Sequence, residues 1–297
     1  MMRPYVDRPI ADGVAASRAA RIAAERWGLR QPETLRVGMN AIFRCGEVVL
    51  RVSCPTAPAR LSLELARLLT AHGVEVPLPA REQPIEAEGM SVTAWPFVEE
   101  EQAGVDWRRV GEQLASVHQI HVDELPYGLP TPSPVDFAWW DFERLLADVT
   151  TRLDEAARIG IESALDRNAG WDSFGELDVV VCHGDVHPGN VMQGPSGPVL
   201  IDWDLLCLAP SGWDHAPMMT WAERWGGEPG WYDEMAVGYG RSMRGDRWAE
   251  RFAELRLLAA TLMRVKASMQ NEAAWPEADR RLALWRGDGD APVWQAL

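Results

Sequence analysis

The chain has 297 residues, 47% of them hydrophobic and 25% charged, which excludes a disordered or fibrous protein and allows one large or two medium domains with a sizeable core. Its 29 basic and 44 acidic residues leave a formal net charge of −15, which excludes an extended surface for nucleic acid or anionic membrane. Solubility is the plainer reading of that charge, and a cationic small substrate also fits it.

The opening residues, MMRPYVDRPIADGV, hold no apolar leader segment. No stretch reaches the roughly 18 apolar residues of a membrane span. The expectation is a cytoplasmic protein. From Asp12 to Gly28, Val14, Ile22 and Trp27 lie among alanines and arginines, with Asp12 as N-cap and Gly28 as stop; this predicts an amphipathic helix packed on the β-prone segment after it. Thr34 to Ser53 carries short β-prone runs broken at Gly38 and at Cys45-Gly46, a hairpin or three-strand meander with its first turn at Gly38-Met39-Asn40. Arg60 to Gly73 puts Leu61, Leu65, Leu68 and Leu69 on one helical face. After a proline-rich connection, GMSVTAWPFVEEE supplies another strand, and the first lobe closes at about Val98.

Beyond that point the pattern turns helical. One helix is capped by Asp106, and a second begins at Asp136 and carries Phe137, Trp140, Leu145, Val149 and Leu153. A strand–loop–strand unit from Val179 to Ile201 interrupts the helices, which resume from Trp213 to Arg286. The cysteines, Cys45, Cys54, Cys182 and Cys207, match no CxxC or zinc spacing and read as free thiols in a reducing compartment.

The interruption carries the chemistry. VVVCHGDVHPGNVM breaks an apolar strand into His183-Gly184-Asp185, with Asn190 close behind, and Asp202 ends the later run VLIDWD. Val179–Cys182 and Val199–Ile201 both read as strand ends, so a hairpin between them would join their polar tips. Two hard oxygen ligands and a third carboxylate in one place suit Mg²⁺, which completes its shell with substrate phosphates. That points to phosphoryl transfer, in which a catalytic-loop aspartate accepts the hydroxyl proton, an asparagine five positions later holds metal, and an aspartate on the next hairpin holds the metals that bridge the phosphates.

With HGDVHPGN and IDWD in this order, the chain resembles the aminoglycoside phosphotransferase family, the small-molecule branch of the protein-kinase-like fold that also includes choline and homoserine kinases. The resemblance implies an α+β two-lobe fold: a nucleotide-binding sheet lobe with one helix over residues 1–98, and a larger, mainly helical lobe over 99–297 with the catalytic loop and acceptor site. It implies Asp185 as base, His183 as the residue that opens and supports the catalytic loop, and Asn190 and Asp202 as Mg²⁺ ligands. Gly38 and Asn40 fall in the phosphate-covering turn, and Arg51 stands where a lysine commonly steadies the α and β phosphates. Arginine stays charged and can fork onto phosphate oxygens. Glu64 is then the partner that orients Arg51, or else a solvated helix glutamate. Trp95, Phe97 and Val98 resemble the adenine-holding hinge. His187 fixes the loop or is exposed, and Asp214 braces the loop or merely caps a helix.

The same resemblance implies ATP or GTP and Mg²⁺ as cofactors and a small hydroxylated acceptor as partner, in a monomer or homodimer. Trp213, Trp221, Trp225 and Trp231, with Asp204, Glu223, Glu228, Asp233 and Glu234, offer an aromatic, acidic pocket for an amino sugar, amino alcohol or cationic antibiotic; a tryptophan-rich core with a solvated acidic face is the alternative. A metallophosphoesterase would need further histidine and asparagine ligands for a metal pair, and six histidines with no Gly-Asn-His-Glu run do not supply them. A silent kinase-like scaffold would lack the base and metal ligands that this chain has. A protein kinase would carry a long activation segment after Asp202.

Overall fold

The computed structural model describes residues 4–101, 104–175 and 177–295. Asp12 accepts from the amides of Val14 and Ala15 to open α1 (Gly13–Trp27), and Gly28 closes it at φ 63°. The buried face of α1 is alanine, Ala16, Ala19, Ala20, Ala23 and Ala24, while Val14 is 66% exposed. Side chains this small let the helix lie close on the neighbouring sheet. That sheet is antiparallel, β1 (Glu33–Val37), β2 (Ala41–Cys45), β3 (Val48–Ser53), β4 (Ile85–Ala87) and β5 (Met90–Pro96), in the order β1-β2-β3-β5-β4. The short strand β4 lies in what the sequence suggested was only a connection.

Strand alternation decides which side chains the sheet turns toward the site. In β3, Leu50 and Val52 are wholly buried against α1. Val49 and Arg51 therefore point to the opposite face, with Arg51 paired across the sheet to Ile42 and Thr93. Helix α2 (Arg60–Ala71) gives Leu65 and Leu69 to a second, larger core shared with the helices of the second lobe.

Those helices begin with α3 (Trp107–Val117), capped by Asp106, then α4 (Phe142–Val149) and α5 (Glu155–Arg167). The helix expected from Asp136 starts later: Pro134–Asp136 and Ala138–Trp140 are single 3₁₀ turns, and Asp141 caps α4 by accepting from Arg144 N. The expected strand pairing also differs. Among β6 (Val179–Cys182), β7 (Val191–Gly194), β8 (Gly197–Leu200) and β9 (Cys207–Pro210), the pairs are β6 with β9 and β7 with β8. The two-residue turn between Gly194 and Gly197 closes β7 on β8 as a hairpin, which leaves β6 to pair with the strand that leaves the site. The chain ends in α6 (Gly212–Trp225), α7 (Trp231–Tyr239), α8 (Arg247–Gln270) and α9 (Trp275–Trp285). All four cysteines are free thiols, and no helix among the described residues is long and apolar enough to cross a membrane.

His215 on α6 is fully buried, and burial, aided by the charge of His118, pushes its pKa down to about 3. An unfolded histidine titrates near 6.5, so between these values the unfolded chain takes up a proton that the fold refuses. Stability is therefore expected to fall as pH drops below about 6.5, with His215 contributing about 1–2 kcal/mol of loss at pH 5. Urea melts at pH 7.5 and 5.0 check this, because His215→Gln should reduce the difference between them.

Candidate active site

Strand β6 delivers the loop of residues 183–190 to the mouth between sheet and helices, and buried groups hold it there. Asp214, 0% exposed, accepts from His183 N (2.8 Å) and Gly184 N (2.7 Å) and bonds His118 Nε2 (3.0 Å). His118 Nδ1 in turn meets Tyr239 Oη (2.9 Å). Burial pushes the Asp214 carboxyl up, but His118 and the Gly184 amide outweigh it and hold the group below the ordinary value. Ser211 is the N-cap of α6, so Asp214 braces the loop and is not a plain cap.

His183 is also buried. The Asp185 amide donates to its Nδ1 (3.2 Å), which puts the ring proton on Nε2, and Nε2 donates to Ile201 O (3.0 Å). Burial lowers its pKa, so the ring is neutral and both nitrogens are engaged. It ties the loop to the residue before Asp202 and makes no bond to the Asp185 carboxylate. Gly184 sits at φ 92°, and a Cβ there would lie 1.9 Å from the Leu205 carbonyl oxygen; only glycine lets these two backbones approach.

The Asp185 carboxylate is held from two sides. Arg256 Nη1 donates to Oδ1 (2.9 Å), and Arg256 also bonds the Gly184 carbonyl. Oδ2 lies 3.3 Å from Asn190 Nδ2 and 3.3 Å from His187 Nε2. Burial pushes this carboxyl up, but His187 and the Arg256 guanidinium outweigh it and hold the acid ionised well below the usual range. Arg256, on α8, rests over the rings of Trp140 and Trp213, 5.5 and 5.0 Å from their centroids. His187 is not simply exposed: it accepts from Gly189 N and stacks on Trp221 at 5.0 Å, and Trp221 stacks on Trp225 at 5.2 Å.

Asn190 leads into the β7–β8 hairpin and Asp202 follows it, both at its open end where Val191 pairs with Leu200, and Ile201 N donates to Asn190 O (3.0 Å). Asn190 Nδ2 also donates to Asp185 O (2.9 Å). With its amide hydrogens turned to the loop, no bond to Asn190 Oδ1 is made among the described residues. Asp202 stands at φ 63°, a conformation uncommon for a side-chain-bearing residue. A carboxylate and an amide oxygen placed this way fit the donor set of Mg²⁺.

Above them lies a cavity of about 410 Å³. Asn40, Arg51, Asn190 and Asp202 line it among polar residues, and Trp95, Phe97 and Val98 among apolar ones. Trp95 Nε1 donates to Thr93 Oγ1 (2.8 Å), and Arg44 covers the Phe97 ring at 3.6 Å. Gly38 is not in the lining; its amide donates to Asn40 O (2.9 Å). Nor is Glu64, and the ion pair expected between Glu64 and Arg51 is not formed. Glu64 bonds Arg60 one turn away on its own helix (2.8 Å). Arg51 Nη2 is taken by two nearer carboxylates, Asp7 (2.7 Å) and Asp204 (2.5 Å). Burial pulls the Arg51 pKa down, but Asp204 and Asp7 outweigh it and raise it. Burial pushes the Asp204 carboxyl up to about 6; Arg51 opposes that shift, and Asp202 and Asp7 add to it.

The expected acceptor pocket separates into parts. Trp213 is core at 1% exposure, and Trp231 packs on Trp107 at 5.6 Å. Asp204 belongs to the Arg51 cluster, while Glu228, Asp233 and Glu234 are exposed. Glu223 lines a second cavity of about 620 Å³ between α5, α6, α8 and α9, whose Arg167, Arg224 and Arg251 balance Glu223, Glu250 and Glu254. Of the tryptophans named, only Trp221 and Trp225 continue from the catalytic loop. Sequence reasoning missed Arg256, Asp7 and His118. For Arg256 there was a signal, an arginine inside the apolar run LRLLAATLM.

A family model for a phosphotransferase enzyme family matches residues 40–252. No curated protein matches the sequence. Among solved structures, the chain is similar to a spectinomycin phosphotransferase in complex with ADP and spectinomycin, with TM-score 0.63 at 15% identity, covering 89% of this chain and 94% of that one. It is similar to the GDP complex of aminoglycoside 2′-phosphotransferase-IIIa, with TM-score 0.68 at 14% identity over 93% and 99% of the chains. A choline/ethanolamine kinase family protein from Mesorhizobium loti gives 0.63 at 19% identity over 86% and 87%. The shared fold is the kinase-like one, a small antiparallel sheet lobe against a larger helical lobe.

Proposed function

Because the chain belongs to the phosphotransferase enzyme family, we propose that it moves the γ-phosphoryl group of ATP or GTP, with Mg²⁺, to a hydroxyl of a small polar molecule. The observation that carries this reading is the bonding of Asn190 to both Asp185 and the strand end before Asp202, beneath the cavity lined by Arg51 and Trp95. The nucleotide complexes of the similar structures, with ADP and GDP, support it.

In this mechanism the apolar wall at Trp95, Phe97 and Val98 takes the base and Arg51 takes the phosphates. Asn190 and Asp202 would hold Mg²⁺, whose chemistry there would be neutralisation of the phosphate charge. Asp185 orients the acceptor hydroxyl and accepts its proton as the new P–O bond forms and the bond to the nucleoside diphosphate breaks. His183, neutral and doubly bonded, holds the loop that carries this carboxylate. The acceptor class we infer is a hydroxylated antibiotic, amino sugar or amino alcohol, reaching Asp185 along the Trp221–Trp225 side.

The test is nucleotide turnover by purified protein with Mg²⁺, ATP or GTP, and a panel of aminoglycosides, other cationic antibiotics, amino alcohols and neutral sugars. Acceptor-dependent release of ADP or GDP is expected; failure to bind either nucleotide would defeat the proposal. Arg256 gives a pH-dependent check. Its guanidinium favours the ionised, proton-accepting form of Asp185, so Arg256→Ala should raise that carboxyl's pKa and move the acid limb of the kcat profile to higher pH. An unmoved limb would count against Asp185 as the titrating base.

A further inference from the structure

We propose that Asp7, in the segment ahead of the first helix, positions Arg51 for the nucleotide phosphates, a role that rests on the phosphotransferase reading. Asp7 is 5% exposed. It bonds Arg51 Nη2 (2.7 Å) and accepts from Asn40 Nδ2 (3.3 Å), so one carboxylate joins β3 to the turn between β1 and β2. Asn40 Oδ1 then accepts from Arg36 Nη2 (3.3 Å).

The segment is itself pinned. Val6 N donates to Thr56 Oγ1 (3.0 Å), Thr56 N to Val6 O (3.0 Å) and Arg8 N to Cys54 O (3.0 Å). Further on, Ile10 N donates to Gly38 O (3.3 Å), and Tyr5 lines the cavity. Both acids on Arg51 hold the same nitrogen, Nη2. Among the described residues no hydrogen bond is made by Nη1 or Nε, so the clamp leaves these donors for a ligand in the cavity. A guanidinium presents its donors in a rigid fork, and fixing one nitrogen aims the others. Of the two acids, Asp204 comes just after Asp202 on the metal side, whereas among the described residues the Asp7 carboxylate is bonded only to the sheet lobe. Asp7 also precedes the segment that the family model matches, so this anchor is a feature of the chain's own leading segment.

The experiment is calorimetric titration of Mg·ADP into wild type, Asp7→Asn, Asp7→Glu, Glu64→Gln, Arg51→Gln and the double variant Asp7→Asn with Arg51→Gln. Thermal melts confirm that each is folded. Loss of a charge-assisted bond of this kind predicts nucleotide affinity weakened about 10- to 100-fold in Asp7→Asn, partial recovery in Asp7→Glu, and a smaller effect of Glu64→Gln. Because Asp7 acts through Arg51, the double variant should bind no worse than Arg51→Gln alone, and steady-state kinetics should show a raised nucleotide KM with the acceptor KM unchanged. Unchanged or tighter binding in Asp7→Asn would overturn the role, as would additive losses in the double variant. If wild type binds no nucleotide, the phosphotransferase reading itself fails; wild-type binding with an inert Asp7→Asn removes the Asp7 assignment alone.

Discussion

Asp185→Asn is expected to lower kcat by about 10²- to 10⁴-fold, the contribution of a positioned proton acceptor, while leaving Mg·ADP affinity nearly unchanged. The amide keeps the shape of the carboxylate and can still accept from Arg256 Nη1 at the Oδ1 position, 2.9 Å away in the native site. What it loses is the ability to take the hydroxyl proton. Asp185→Ala should lose comparable turnover and also leave Arg256, at 12% side-chain exposure, without its carboxylate partner, adding a stability cost that the asparagine variant lacks. Single-turnover kinetics beside nucleotide titration separate the two effects. A variant whose loss lay in nucleotide KM, with kcat intact, would place Asp185 among the binding groups instead.

The largest structural effect is expected at Asp214. Its carboxylate satisfies two backbone amides and His118 in a wholly buried site. Alanine would leave all three without their acceptor, at about 1–3 kcal/mol for each neutral donor. The summed loss of about 3–9 kcal/mol is a large part of the roughly 5–15 kcal/mol that holds a protein folded. At about 2–4 °C per kcal/mol for a chain of this size or slightly smaller, the melting temperature should fall by about 10 °C or more. Asp214→Asn, which keeps one acceptor oxygen, should fall roughly half as far. A melt within 2 °C or so of wild type for Asp214→Ala would mean that the loop amides find other partners.

These two sites differ in how visible they were beforehand. Asp185, Asn190 and Asp202 could be read because they lie within one short stretch whose hairpin brings them together, and local spacing is what a sequence displays. Residues that act at a distance are different: Arg256 lies 71 positions from Asp185, Arg51 lies 44 from Asp7, and His118 lies 96 from Asp214. Nothing in an isolated arginine or histidine says which loop it will meet. Glu64 shows the opposite error, a residue of the right type near the right place that found Arg60 one turn away on its own helix. The lobe order and most helices matched the apolar periodicity. The late start of α4 and the β6–β9 pairing turned on competition between caps and turns, Asp141 over Asp136 and the Gly194–Gly197 closure over a longer hairpin.

The amides of His183 and Gly184 end on a carboxylate with no exposure, and that sets a clock as well as a shape. A surface loop ordinarily opens many times for every unfolding of the molecule. Here the loop can open only by withdrawing its amides from the core, so its lifetime is tied to that of the helical lobe. The strand β1 is exposed along its whole length, and its links run instead to β2 and, through Arg36 and Asn40, to Asp7 in the sheet lobe. On the proposed mechanism, the loop that holds Asp185 would thus stay in place from one turnover to the next, because opening it means opening the core that accepts its amides.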